Sequence, residues 1–167
     1  MNLHKIYLWR RDIFYFSVLA MKVISFCKKG NWPKKEEKYS LTLQASERFI
    51  RRKNLILDSG EEVFIAMDKV VYLNDSDGLK VDNGDWIKIN AAKQKVIEVL
   101  TKKHVTQSLI SWHLGNRHLP IQIINEKIIR IEYDHVIADM LKNLGAEIYI
   151  KEDIFEPELG AYGSHKH

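Results

Sequence analysis

Apolar and polar positions alternate through much of residues 39–89. Tyr39, Leu41 and Leu43 take one side of the chain, and Val63, Ile65 and Met67 repeat the pattern. Leu55-Ile56-Leu57 and Val70-Val71-Tyr72-Leu73 are short apolar runs. Turn-forming residues separate them: Asp58-Ser59-Gly60, residues 74–78, and Asn83-Gly84. Side chains on a strand point alternately to its two faces, so a period of two broken by turns predicts short strands. Residues 21–90 therefore read as a small all-β domain, with Trp86-Ile87-Lys88-Ile89 as its closing strand.

The period changes after Asn90. Residues 95–101 read as a strand. Residues 106–115 read as a helix, with Val105, Leu109 and Trp112 at i, i+4 and i+7 on one face. Residues 119–124 and 128–133 read as two strands, joined by the hairpin-length link Asn125-Glu126-Lys127. Asp134 is placed to cap a second helix. Val136, Met140 and Leu144 share a face there with Ile137 and Leu141, and Gly145 supplies the stop. Ala146, Ile148 and Ile150 then alternate with Glu147, Tyr149 and Lys151. The order β-α-β-β-α-β is the ferredoxin-like unit, one sheet with two amphipathic helices on a single face. The predicted class is α+β: a β domain over 21–90, a ferredoxin-like domain over 91–152, and an aperiodic tail over 153–167 that reads as mobile. That fold alone names no function.

Charge and cysteine content narrow the picture. The chain has 167 residues and a single cysteine, Cys27, which excludes an internal disulfide framework and a cysteine-based zinc cage. The pI near 9.0 invites a nucleic-acid reading, but the excess charge is local. Residues 1–38 hold nine Lys/Arg against three Asp/Glu, and the other 129 residues hold 17 against 19. The folded body is slightly acidic, and no nucleic-acid partner is expected. Residues 1–20 carry Arg10-Arg11 before a short apolar run over 13–21 that Lys22 interrupts, too short to span a bilayer. They read as a non-native or disordered extension with the true start at Met21. A secretory signal and a packing or membrane-surface helix stay open as alternatives. Residues 28–38 read as a solvated loop or an edge connection.

Histidine is skewed towards the other end, with six of seven in the last 64 residues. His118 ends the run His113-Leu114-Gly115-Asn116-Arg117-His118. Gly115 and Asn116 tolerate left-handed dihedrals, so the chain is expected to leave its helix there and present His118 at a surface corner. His113 and His118 lie about 140° apart around a helix, so they share no face. His165 and His167, two residues apart on the tail, could close a weak chelate on nickel, copper or zinc, or simply be solvated. His135 follows Asp134 and stands one turn before Asp139, the spacing of a surface ion pair. His104 and His113 are not expected to bind metal, and Cys27 has no activating neighbour.

The run from His113 to Ile123, with Gly115-Asn116-Arg117-His118 at its centre, resembles the signature of the UreE family of urease accessory proteins, which are nickel metallochaperones. Tyr133-Asp134-His135-Val136, Met140-Leu141, Leu144-Gly145, Phe155-Glu156-Pro157-Glu158 and Gly160-Ala161-Tyr162-Gly163 are similar to the same family in the same order. Arg51-Arg52, Leu57-Asp58-Ser59-Gly60-Glu61-Glu62 and Asn83-Gly84-Asp85 resemble its N-terminal β domain. The resemblance spans about residues 21–167.

The resemblance implies a peptide-holding β domain followed by a metal-binding, dimer-forming ferredoxin-like domain. It places the family's key histidine at His118, and two copies would meet near the two-fold axis of a homodimer. His165 and His167 would complete the coordination sphere, and His135 would serve a peripheral site. The cargo would be Ni²⁺, with Zn²⁺ able to take the same ligands. The resemblance further implies delivery to the urease apoprotein through the accessory GTPase complex, in the cytoplasm, with metal-linked oligomers beyond the dimer as an option. No catalytic residue, no catalytic turnover and no membrane partner are expected. Two other functions fit parts of the chain: an RNA-binding ferredoxin-like module, and a metallohydrolase using His118, His135 and Asp139. The first lacks an RNP-type aromatic run, and the second lacks a paired general base.

Overall fold

A computed structural model describes residues 21–102 and 104–159. The extension assigned to residues 1–20 and the histidines His165 and His167 lie outside the described residues. The described chain forms two compact units, residues 21–42 with 48–90 and residues 43–47 with 91–159.

The first unit is built from β1 (Met21–Cys27), β2 (Glu37–Leu43), β3 (Phe49–Ile56), β4 (Glu62–Tyr72), β5 (Gly78–Val81) and β6 (Trp86–Ala91). They form one sheet in the order β2-β6-β5-β1-β4-β3. The alternating positions point inward: Leu41, Val63, Ile65, Ile87 and Ile89 are buried. Residues 63–67 and 70–72, from two separate apolar runs in the sequence, belong to the one strand β4. Its pairing with β3 slips between Ile50 and Arg52, so residues 67–70 have no partner in the ladder.

Strand β1 carries no clean period-two signal, yet it lies inside the sheet, parallel to β4 and antiparallel to β5. Its register shifts between Val23 and Ser25, which re-phases the side chains and blurs the alternation. The charged segment 28–38 is not wholly solvated. Trp32 is buried and stacks on Trp86 with ring centroids 5.6 Å apart. A Cβ at Gly78 would lie 2.5 Å from the Trp32 ring, so glycine is what lets β5 pass beneath the indole.

The second unit contains β7 (Lys93–Leu100), α1 (Gln107–Gly115), β8 (Gln122–Asn125), β9 (Ile128–Glu132), α2 (His135–Asn143) and β10 (Glu147–Ile154). The sheet order is β10-β7-β9-β8 with all neighbours antiparallel. This is the ferredoxin-like topology that the β-α-β-β-α-β order predicts. Ile97, Val99, Ile129 and Ile131 turn one sheet face towards Ile110 and Leu114 of α1 and Ile137 and Leu141 of α2.

Both helices are capped, the second by Asp134 as its sequence predicts and the first by Thr106, which the sequence pattern places within the helix. The Thr106 hydroxyl accepts from Leu109 N, and the Asp134 carboxylate accepts from Val136 N and Ile137 N. Gly145 takes φ +83° after α2. The buried face of α1 differs from the predicted one. Ile110 and Leu114 enter the core, while Leu109 and Trp112 are exposed, Trp112 by 63%. The helix is apolar around so much of its circumference that spacing alone cannot select the inward side.

The opposite sheet face carries an ionic network. Arg130, nearly buried, reaches Glu98 at 2.6 Å and Asp153 at 2.6 Å, and Lys151 bridges the same two carboxylates at 2.8 and 3.0 Å. Burial pushes the Glu98 carboxyl up, but its bonds to Lys151 and Arg130 outweigh this and hold it below the usual range. Asp153 is held low chiefly by Lys151.

Candidate metal centre

His118 sits at the end of α1, and its backbone explains how it is held. His118 N donates to the Gly115 carbonyl at 2.9 Å, and Leu119 N donates to the Leu114 carbonyl at 3.2 Å. These two bonds are the paired closing bonds of a Schellman motif, with His118 at C′ and Leu119 at C″. The hydrophobic half of the motif is present too, because Leu119 packs against the cluster that contains Leu114.

The residue at C′ must be left-handed, and His118 has φ +56°. The left-handed residue is the histidine itself. Asn116 stays right-handed at φ −62°, and Gly115 lies within the helix. Glycine would adopt this conformation without a Cβ penalty, so an imidazole is kept where the backbone favours its absence. The result is an exposed His118 on a corner whose backbone N–H groups, from Asn116 to Leu119, are all hydrogen bonded. Arg117 secures the same corner, its Nη1 donating to the His113 carbonyl at 2.8 Å.

The other described histidines do not join it. His113 is half-buried on α1 with its ring edge-on to Trp112. His104 is exposed in a turn, and His135 is the exposed first residue of α2. Asp134 uses Oδ1 to cap α2, and Asp139 pairs with Lys142 at 3.4 Å. Among the described residues no three His, Cys, Asp or Glu side chains gather closely enough to hold a metal ion. The trio His118, His135 and Asp139 is therefore not assembled.

The sheet face that an RNA-binding module would use carries Val96 beneath Phe155 and Arg130 tied to Glu98 and Asp153. It offers no run of exposed aromatic rings for base stacking. No described helix is long and apolar enough to cross a membrane.

Part of the predicted tail is firmly held, which its lack of periodicity does not foretell. Phe155 is buried against Ala45 and Val96. Glu156 N donates to Gln122 Oε1 at 3.0 Å, and Glu158 N donates to the Ile121 carbonyl at 2.7 Å. The one sequence signal for this attachment is the apolar pair Phe155 and Pro157 among acidic residues.

Comparison with known proteins decides the family. Residues 22–92 match the N-terminal domain of the UreE urease accessory protein, and residues 94–167 match its C-terminal domain. The chain belongs to the UreE family. A urease accessory protein UreE of Agrobacterium fabrum is 39% identical over 145 residues, covering 87% of this chain and 89% of that protein. UreE of Brucella anthropi is 38% identical over 126 residues, covering 75% and 74%. UreE of Paraburkholderia xenovorans is 40% identical over 129 residues, which span 77% of this chain and 57% of the relative. The match takes in both UreE domains, and the His118 corner lies in the C-terminal one.

Proposed function

We propose that this chain is a nickel metallochaperone for urease maturation, and that it binds Ni²⁺ at a site two chains share. The observation that carries the reading is His118: an exposed imidazole, fixed in a strained backbone conformation, with no other ligands gathered around it among the described residues. Strain of this kind persists where function requires it. One imidazole cannot capture a metal ion, but a homodimer built through the second unit would supply two at its symmetry axis. His165 and His167 would add further ligands, and His135 would serve a peripheral site.

The chemistry suits a carrier. A structural cage of four fixed ligands holds its metal, whereas a few imidazoles shared between chains can let it go. Zn²⁺ can occupy the same ligands, and copper would bind more tightly still, so selectivity comes from supply and partners. The ion is cargo, and no turnover is proposed. The recipients are the urease apoprotein and the accessory GTPase complex, in the cytoplasm, and the first unit would hold a peptide segment of such a partner.

Nickel titration of the wild type against His118→Ala tests the reading. The wild type is expected to take up one ion per two chains at the shared site, and the variant to lose that site. Unchanged affinity and stoichiometry in the variant would overturn it.

A further inference from the structure

Strand β3 ends the first sheet, and among the described residues no strand lies beyond it. Alternate residues of such a strand aim their N–H and C=O groups away from the sheet, where another extended chain can pair with them. The middle of this edge is cationic. Arg51-Arg52-Lys53 is the longest unbroken run of cations in the sequence, and all three side chains are exposed. The neighbouring strand offers them no countercharge, since Arg52 lies opposite Ala66 and Lys53 opposite Ile65. Among the described residues none of the three forms an ion pair, whereas Lys28, Lys38 and Lys102 each have a carboxylate partner. Exposed apolar side chains stand at both ends of the strand. Phe49 is 53% exposed, with its ring 4.6 Å from that of Tyr72, and Ile56 is 66% exposed. They are about 23 Å apart along the strand.

We propose that the β3 edge docks an extended acidic segment of a partner protein, which joins the first sheet as a further strand. The proposal rests on the reading that the first unit holds a peptide of a partner, and it names that peptide's chemistry and its seat. The backbone edge gives affinity for any extended chain. The uncompensated cations select one with carboxylates at its centre, and Phe49 and Ile56 favour apolar flanks. The same charges turn away a second copy of the edge, so the occupant is a different chain. A nucleic-acid strand would meet the cations but leave the outward N–H and C=O groups without a β-partner.

The test uses the full chain and the fluorescence anisotropy of three labelled peptides that match the eight residues of β3 in length. All have valine flanks, and the centre is a run of glutamate, lysine or threonine. The glutamate peptide should bind wild type about tenfold more tightly than the threonine peptide, and the lysine peptide should bind least. Arg51→Glu/Arg52→Glu/Lys53→Glu reverses the charge at exposed positions and keeps like charges along the edge. The variant should therefore fold, stay monodisperse and prefer the lysine peptide to the glutamate one. N-methylation of alternate residues in the glutamate peptide separates ladder bonding from charge. One alternate set should abolish binding and the other should be tolerated, because only one set of amides faces β3.

Equal effects of the two methylations would mean that no strand ladder forms, and would overturn the proposal. A glutamate peptide bound no better than the threonine peptide, or less tightly than a single-stranded oligonucleotide of matching charge, would overturn it too. If the glutamate peptide binds the variant as it binds wild type, the seat lies elsewhere: the proposal falls and the peptide-holding reading stands. If none of the three peptides binds, both fall.

Discussion

His118 shows how one residue can serve chemistry against the preference of its backbone. The left-handed conformation costs a side-chain-bearing residue about 1–2 kcal/mol, less for a histidine than for a β-branched residue. Glycine at C′ would remove that penalty while adding entropy to the unfolded chain. His118→Gly is therefore expected to raise stability by about 0.5–1 kcal/mol in denaturant unfolding, while it abolishes capture at the nickel site proposed above. A site that gains stability when its functional group is deleted marks a trade of stability for function. Asn116-Arg117-His118 reads as a helix exit, and so it is. That the histidine would take the left-handed position was not legible, because Gly115 and Asn116 both have the stronger intrinsic preference. Two backbone bonds and the Leu119–Leu114 contact decide the matter.

Among the elements, β3 poses the sharpest question of surface design. It is the terminal strand of the first sheet, and among the described residues no strand lies beside its outer backbone groups. Exposed edges recruit other edges unless they are guarded. Here Arg51, Arg52 and Lys53 are all exposed along the strand, between the exposed apolar residues Phe49 and Ile56. The cations repel a second copy of the same edge. Replacing all three by serine should leave the fold intact and produce concentration-dependent self-association, visible in sedimentation velocity; a strictly monodisperse variant would contradict the guarding role.

Elements with a clean period, such as β2 and α2, are legible because one face is buried and the other is wet. The inward side of α1, the placement of β1 and the held segment after β10 are not. α1 is apolar nearly all round, β1 changes phase at a bulge, and the segment after β10 is held by isolated backbone bonds that leave no repeat.

For the whole molecule, acidity acts on two properties in succession. Protonation removes the lone pair through which an imidazole binds metal, so the nickel capture proposed above should weaken in acid. The fold should outlast it. Glu98 and Asp153 are held below the ordinary carboxylate range by Lys151 and Arg130, so the stability they supply is fully present above that range and is lost only as pH falls through it and below. Acidification to about pH 5.5 is thus expected to release nickel while circular dichroism stays unchanged, and raising the pH should restore binding. Arg130→Met should cost about 1.5–3 kcal/mol at neutral pH, since it removes one of the two cations that Glu98 and Asp153 share and leaves Lys151 as the other. Its stability should also decline less steeply in acid, because the carboxylates return towards ordinary values. Both slopes can be read from urea unfolding at stepped pH.

The tryptophans give the two units different optical signatures. Trp32 and Trp86 are buried and stacked on each other in the first unit, whereas Trp112 stands in water in the second, edge-on to His113 and six residues before His118. Light absorbed by the stacked pair is shared between two shielded rings. Light absorbed by Trp112 is emitted from a wet indole on the helix that ends at the His118 corner. Among the described tryptophans, the shielded pair belongs to the first unit, and Trp112 of the second is the one that lies open to quenchers dissolved in the medium.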